Sequence, residues 1–344
     1  MMYGSSRPVN LNKTRNAQQK NLFATHNNAL CSILDFFKLE SSSLPIGRVQ
    51  ADPQEMRSLQ GNVVLVTGGS RGIGKATCEK FDSAGCTVIG TSRTPEKIKN
   101  KPAQYTLMKL DVRSEESVKE CVQEIIEKFG RIDILINNAG IGQYGRLVKA
   151  KTEDWINLFQ TNVFGVHRVT QAVYPYMKGE SSRIITLVSL EGETGYPYQS
   201  LYAMSKRMLQ TWNDSFDFEQ RTNNGPRFTL LEPAWVNTDF GTSADIVNTE
   251  PDSEDPYVKL APKLFVQYLK QYGLEPKTVA HAIFTIASLH RPKLRYYVGI
   301  QGRLLMGYSL EDLIAMVYTQ PPEQILAFMD TLTEVMMRLN ADKL

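Results

Sequence analysis

Three observations in this sequence predict an α/β fold, a doubly wound parallel sheet of about seven strands with helices on both faces. Short runs of apolar, mostly β-branched residues recur from Val63 to Val298. Between them lie amphipathic stretches of roughly a dozen residues, the length a helical crossover between parallel strands requires. The first apolar run also passes directly into a glycine-rich turn that opens a helix, the order of a Rossmann-like dinucleotide unit.

Val63-Val-Leu-Val66 is the first strand, apolar on both faces as a strand covered by two helix layers must be. It enters Thr67-Gly68-Gly69-Ser70-Arg71-Gly72-Ile73-Gly74, a G-x-x-x-G-x-G spacing, and a helix follows through Phe81 with a stop near Gly85. Glycines let the backbone turn tightly and approach a pyrophosphate, and the helix N-terminus offers free N–H groups to the phosphates. Gly68, Ser70, Arg71, Gly72, Ile73 and Gly74 are therefore cofactor-binding candidates. The second strand, Thr87–Thr91, ends at Ser92-Arg93. NAD-binding units place a carboxylate near this point for the ribose 2′-hydroxyl. Here Arg93 stands instead, with Arg71 in the turn, and a guanidinium fork suits a 2′-phosphate. NADP(H) is the expected cofactor, with NAD(H) as the alternative.

Tyr105–Leu110 is the third strand, closed by Asp111-Val112, and Ser114 caps a helix that runs to Phe129 and stops at Gly130. Ile132–Ile136 is the fourth and leads into Asn137-Asn138-Ala139-Gly140. Ile184–Val188 is the fifth, ended by Ser189, and Phe228–Leu231 the sixth. Residues 237–262 are irregular and, with a helical stretch at 263–272, are expected to form a substrate lid over the cleft. A helix over Glu275–Ser288 and a last strand over Leu294–Val298 complete the sheet. Ligands of such sheets bind beyond the carboxyl ends of the strands, where Gly68, Arg93, Asp111, Asn138 and Ser189 gather.

The chemistry is carried by Tyr202 and Lys206, four apart on a helix spanning Leu201–Phe218. That spacing stacks both side chains on one helix face, so the ammonium is expected to lower the phenol's pKa toward the range useful for acid–base catalysis. Alone, such a pair is common on solvated helices; the glycine turn upstream gives it meaning. Ser189, at a strand end, is placed to hydrogen-bond a substrate oxygen.

Thr67-Gly68-x-x-x-Gly72-x-Gly74, Asn137-Asn-Ala-Gly140, Asn162, Ser189, Tyr202-x-x-x-Lys206 and Pro233-x-x-Val236-x-Thr238 occur in this order. Together they closely resemble the short-chain dehydrogenase/reductase family, over roughly residues 60–300, with Ser189 and Tyr202 thirteen residues apart as in that family's active-site loop. The resemblance implies that Tyr202 is the acid–base group and that Lys206 lowers its pKa and binds the nicotinamide ribose. It implies that Ser189 orients the substrate oxygen and that Asn162 holds a water of the proton relay. Asp111 and Val112 would face the adenine, and Asn138, Ala139 and Gly140 would line the cofactor cleft with Pro233, Val236 and Thr238. Ala234 departs from the family's usual glycine. A dimer or tetramer through the helix bearing Tyr202 is also implied. Pro276-Lys-Thr-Val-Ala280 and Arg291-Pro-x-x-Arg295-Tyr-Tyr are similar to a branch holding type-1 17β-hydroxysteroid dehydrogenase and photoreceptor-type retinol dehydrogenase. That branch acts on bulky apolar alcohols and ketones. The implied function is NADP(H)-dependent interconversion of an alcohol and a carbonyl; a non-catalytic NADP-binding regulator on the same fold and a non-redox isomerase or lyase are the alternatives. Tyr144, Leu190, Tyr196, Tyr198, Trp235 and Phe240 are candidate pocket residues, while Glu191 and Glu193 either face solvent or read a polar group on the ligand.

The rest of the sequence excludes more than it assigns. A net charge of +3 in 344 residues gives no case for a nucleic-acid partner. The cysteines Cys31, Cys78, Cys86 and Cys121 and the four histidines lack metal-ligand spacing, so no metal site is expected. No apolar run is long enough to span a membrane. Residues 1–58 read as an extension; the first 34 contain no acidic residue and suit either a transit peptide, implying an organelle matrix, or a polar tail on a cytoplasmic protein. Residues 59–300 are the expected catalytic domain, and 301–344 a helical tail packed on it.

Overall fold

Val64 and Val66 bury toward one face of a parallel sheet, Val63 and Leu65 toward the other. This alternation in β1 (Val63–Val66) gives each face its own core. The computed structural model describes residues 53–99, 102, 104–193, 198–240, 245, 246, 270 and 273–299. All of them belong to one compact unit spanning 46–316. The expected extension before residue 53, helix 263–272 except Lys270, most of the lid and the 301–344 tail lie outside the described residues.

In chain order the unit runs through α1 (Gly72–Asp82), β2 (Thr87–Ser92), β3 (Thr106–Lys109), α2 (Glu115–Phe129), β4 (Ile134–Asn137) and β5 (Gln143–Tyr144). There follow α3 (Thr152–Phe159), a π turn (Gln160–Phe164), α4 (Gly165–Val173), β6 (Arg183–Leu187), α5 (Ser200–Asn223) and β7 (Arg227–Pro233). The last elements are β8 (Asp245–Ile246), α6 (Pro276–Ser288) and β9 (Arg295–Val298). Seven strands pair in parallel in the order β3-β2-β1-β4-β6-β7-β9. Strand order reverses between β1 and β4, and the crevice of a doubly wound sheet opens at that switch point.

Cys78 and Phe81 of α1 and Ile283 and Ile286 of α6 pack on Val64, Val66 and Ile136. Ile125 of α2 and Val169 and Val173 of α4 pack on Leu65, Leu135 and Ile184 across the sheet. Ser114 caps α2 by accepting the Ser117 N–H at 3.2 Å, and Gly130 ends it in the left-handed conformation at φ +73°.

The broken helix α3–π–α4 and the two-residue β5–β8 pair are elements the sequence did not announce. Two buried polar sites also shape this unit. Arg183, 2% exposed at the start of β6, donates to the carbonyl oxygens of Ser182 (2.9 Å), Leu289 (2.9 Å), His290 (3.3 Å) and Glu180. Burial lowers its guanidinium to about 9. Glu232 of β7 is fully buried and accepts from Gln210 Nε2 at 3.2 Å; the same Nε2 donates to Glu193 Oε1 at 2.9 Å, which also takes the Tyr297 hydroxyl at 3.4 Å. Among the described residues no helix is long and apolar enough to cross a membrane. Cys78, Cys86 and Cys121 are free and buried.

Candidate active site

The turn after β1 is shaped by what lies against it. Gly68 sits at φ +68°, and a Cβ there would meet Ala139 Cα at 3.2 Å; a Cβ on Gly74 would meet the Gly68 carbonyl oxygen at 2.2 Å. The turn therefore folds back on itself beneath the first turn of α1, which no side chain caps. Its N–H groups remain available to an anion. Asn138 closes the other side: its Nδ2 donates to Thr67 O at 2.8 Å and Gly68 O at 3.2 Å, and the Thr67 hydroxyl accepts the N–H groups of Asn138 and Ala139. Thr238 Cγ2 lies 3.3 Å from where a Gly72 Cβ would sit, so the segment after β7 covers the turn from above. Leu274 holds that segment by donating to Trp235 O (2.8 Å) and accepting from Asn237 N–H (2.9 Å).

A cavity of about 980 Å³ opens over these strand ends. Gly68, Ser70, Arg71, Gly72, Ile73, Arg93, Asp111, Val112, Asn138, Ala139, Gly140, Pro233, Val236 and Thr238 line it, together with Ser189, Tyr202 and Lys206. The backbone cradle with its uncapped helix end and the cationic side chains fit a dinucleotide. Gly74 lies beneath the turn and shapes it. Two cations at the Arg93 end escaped the sequence reading, Lys97 and Arg113. Arg113 grips Asp111 through Nε (3.0 Å) and Nη2 (2.7 Å) and holds that carboxyl below its ordinary value. The i, i+2 spacing of the two charges after β3 was the available signal.

At the other end, α5 presents Tyr202 and Lys206 on one face, and the end of β6 presents Ser189. Tyr202 is 8% and Lys206 6% exposed. Lys206 Nζ donates to Leu187 O at 3.0 Å and lies 5.5 Å from the centroid of the Tyr202 ring. The expected lowering of the phenol's pKa is reversed in the chain itself. Burial pushes Tyr202 up, the charge of Glu191 adds to that, and only a hydrogen bond with Ser189 opposes it. Burial also lowers the Lys206 ammonium to about 8, which weakens the cation meant to help. Ser189 Oγ accepts the Glu191 N–H at 3.2 Å, which leaves its own O–H to donate elsewhere.

Asn162 is fully buried behind the cavity wall. Its Oδ1 accepts from Ile141 N–H at 2.9 Å, and its Nδ2 donates to Ile141 O (3.0 Å) and Ser205 Oγ (3.1 Å). The side chain braces the strand end after Gly140 against α5. Tyr144, Trp235 and Phe240 line the cavity, and the Phe240 ring sits 5.7 Å from that of Tyr202. Tyr198 stacks on Tyr144 at 5.6 Å from outside the wall; Leu190 is buried core, and Tyr196 lies outside the described residues. Glu191 does not face solvent. It is 5% exposed on the cavity wall, and burial raises its carboxyl to about 8 against the lowering pull of Lys206. Glu193 instead joins the Gln210–Glu232 cluster and pairs with Arg207 at 3.3 Å.

Known proteins agree with this geometry. The family model described as short chain dehydrogenase matches residues 62–246. A 3-ketodihydrosphingosine reductase of Bacteroides thetaiotaomicron is 32% identical over 253 residues, 73% of this chain and 93% of the relative. A 3-oxoacyl-[acyl-carrier-protein] reductase of Thermotoga maritima is 39% identical over 192 residues, 52% of this chain and 76% of the relative. A solved short-chain dehydrogenase from Streptomyces avermitilis superposes with a TM-score of 0.64 at 26% identity, covering 76% of this chain and 97% of its own. With a glycine turn at the switch point and a serine, a tyrosine and a lysine converging on one cavity, the chain belongs to the short-chain dehydrogenase family, oxidoreductases that interconvert CH–OH and carbonyl groups with NAD(P).

Proposed function

We propose that this protein is an NADPH-dependent reductase of a ketone carried on a bulky, largely apolar substrate. The observation that carries the reading is the meeting of Ser189, Tyr202 and Lys206 on one wall of a cavity whose other end bears Arg71 and Arg93. Gly68, Gly72 and the start of α1 would hold the pyrophosphate, and Arg71 and Arg93 the 2′-phosphate. The bound nicotinamide supplies the hydride.

The chain's own residues do the rest. Ser189 donates to the carbonyl oxygen and orients it, and Tyr202 passes its proton to that oxygen. Burial holds the phenol protonated, the form that gives a proton. Tyr144, Trp235 and Phe240 offer an aromatic wall to an apolar body. The named activities of the two similar reductases support a carbonyl on a long chain. Exposed Met208 and Phe218 on α5, with Phe164 on the π turn, support self-association through this helix.

The test is NADPH consumption by purified protein against long-chain ketones, 3-oxoacyl thioesters, steroids and retinal, run beside Tyr202→Phe. Turnover is expected on at least one long-chain ketone, with the variant slower by about 10²–10⁴-fold and NADPH affinity nearly intact. Full turnover by the variant would remove Tyr202 from the reaction.

A further inference from the structure

Glu191 has no task in the chemistry derived so far, yet a carboxyl is seldom found this deep in a fold without a partner. It is 5% exposed, and among the described residues its Oε2 is buried with no hydrogen-bond partner. Packing fixes it there. A Cβ on Gly192 would meet Lys206 Cβ and its carbonyl carbon at 3.1 Å, so the Leu190–Gly192 turn lies directly on the backbone of α5 beside Lys206. The Glu191 N–H is tied to Ser189 Oγ. Ser189, Glu191, Tyr202 and Lys206 thus share one cavity wall.

Lys206 has the complementary difficulty. Its ammonium is nearly dry and donates to Leu187 O, an acceptor with no charge to offset its own. Where little water intervenes, opposite charges favour each other's ionised form over a longer reach than at the surface. Glu191 is the carboxyl whose charge bears on Lys206. Of the other two on the cavity, Asp111 is gripped by Arg113 and Asp239 is exposed on the segment after β7. Glu193 turns away to Gln210 and Arg207. We propose that Glu191 is a positioning residue for the reduction that acts through Lys206: its carboxylate, packed beside that lysine, sustains the ammonium on the wall that holds Tyr202. This inference rests on the reductase reading and adds a residue to it.

The pH range of the effect follows from the pair. Below about 8 Glu191 keeps its proton and Lys206 its own; above it the dry ammonium would be lost, and there Glu191 ionises and holds it. The same charge disfavours a Tyr202 phenolate, so removing it with no effect on Lys206 would speed the alkaline reaction.

The test measures kcat/KM for a reducible ketone at saturating NADPH, from about pH 6 to about pH 10, in wild type, Glu191→Gln and Glu191→Asp. Glu191→Gln imitates the protonated acid and is expected to enter its alkaline decline about 1 pH unit earlier than wild type, with the loss confined to that side. Glu191→Asp keeps the charge and restores most of the limb. NMR of isotope-labelled lysine side chains, with Lys206 assigned by its loss in Lys206→Arg, reads the effect without turnover: its midpoint falls in Glu191→Gln. A coincident alkaline limb, a faster alkaline reaction or an equal loss at every pH overturns the proposal, and so does an unmoved Lys206 midpoint. If wild type reduces no carbonyl at any pH, the reductase reading fails and the proposal with it; turnover with an unmoved limb sinks the proposal alone.

Discussion

Arg93 follows the end of β2, beside the crevice where β1 and β4 diverge, and shares the cavity wall with Arg71 and Lys97. Replacing it with a carboxylate sets like charge against a 2′-phosphate and offers an acceptor to a ribose hydroxyl. Arg93→Asp is expected to move the NADPH-to-NADH preference in kcat/KM toward NADH by about 10–100-fold. An unchanged ratio would remove Arg93 from cofactor selection. Side chains of this kind are legible in sequence when they sit at a fixed offset from a strand end, as Arg93 and Ser189 do. Arg113 was missed, although it stands two residues from Asp111 in the same loop, because an i, i+2 ion pair also reads as an ordinary surface contact. The burial of Glu191 was not legible either. It follows from the pressing of a turn onto α5 at Gly192, a tertiary contact with no period along the chain.

The strands and most helices joining them could be read ahead of the structure with ends shifted by a residue or two, while α5 runs five residues beyond its expected end at Phe218, to Asn223. β1 coincides with its expected bounds, and Ser114 and Gly130 mark α2 where cap chemistry says they should. The broken helix over 152–173 could not. It buries Thr161 and Asn162 inside its π turn, so its inner face carries polar side chains where periodicity looks for apolar ones. β5 and β8 are two residues each, too short for alternation to register. Helix α5 has two contrasting faces. One buries Tyr202, Lys206 and Leu209, and the other leaves Phe218 73% and Met208 46% exposed. Phe218→Asp is expected to keep the fold and NADPH binding while shifting sedimentation toward monomer. A variant that sediments as wild type does would place any self-association elsewhere.

For the molecule as a whole, the buried carboxyls make stability depend on pH. Glu232 rises from its ordinary 4.5 to about 8, through burial first and then the neighbouring Glu193. Between those values the folded chain keeps a proton that the unfolded chain has released, so stability falls as pH climbs through this window. Glu191 acts in the same sense. Lys206, lowered to about 8, acts oppositely only above that point. Glu232→Gln imitates the protonated acid and retains an acceptor for Gln210. Its urea midpoint is expected to drop less than that of wild type between about pH 5 and about pH 8. Parallel declines would show that Glu232 titrates normally.

Arg183 bears on heat as Glu232 bears on acidity. Its fork joins the exit of α6 to the start of β6 through carbonyl oxygens, so nothing in the clasp titrates near neutrality. Ionic groups are hydrated less favourably as water warms, so the penalty for keeping this guanidinium dry shrinks with temperature. That corner of the sheet is thus fastened by a contact whose relative worth grows on warming, and thermal fraying should begin at some other margin.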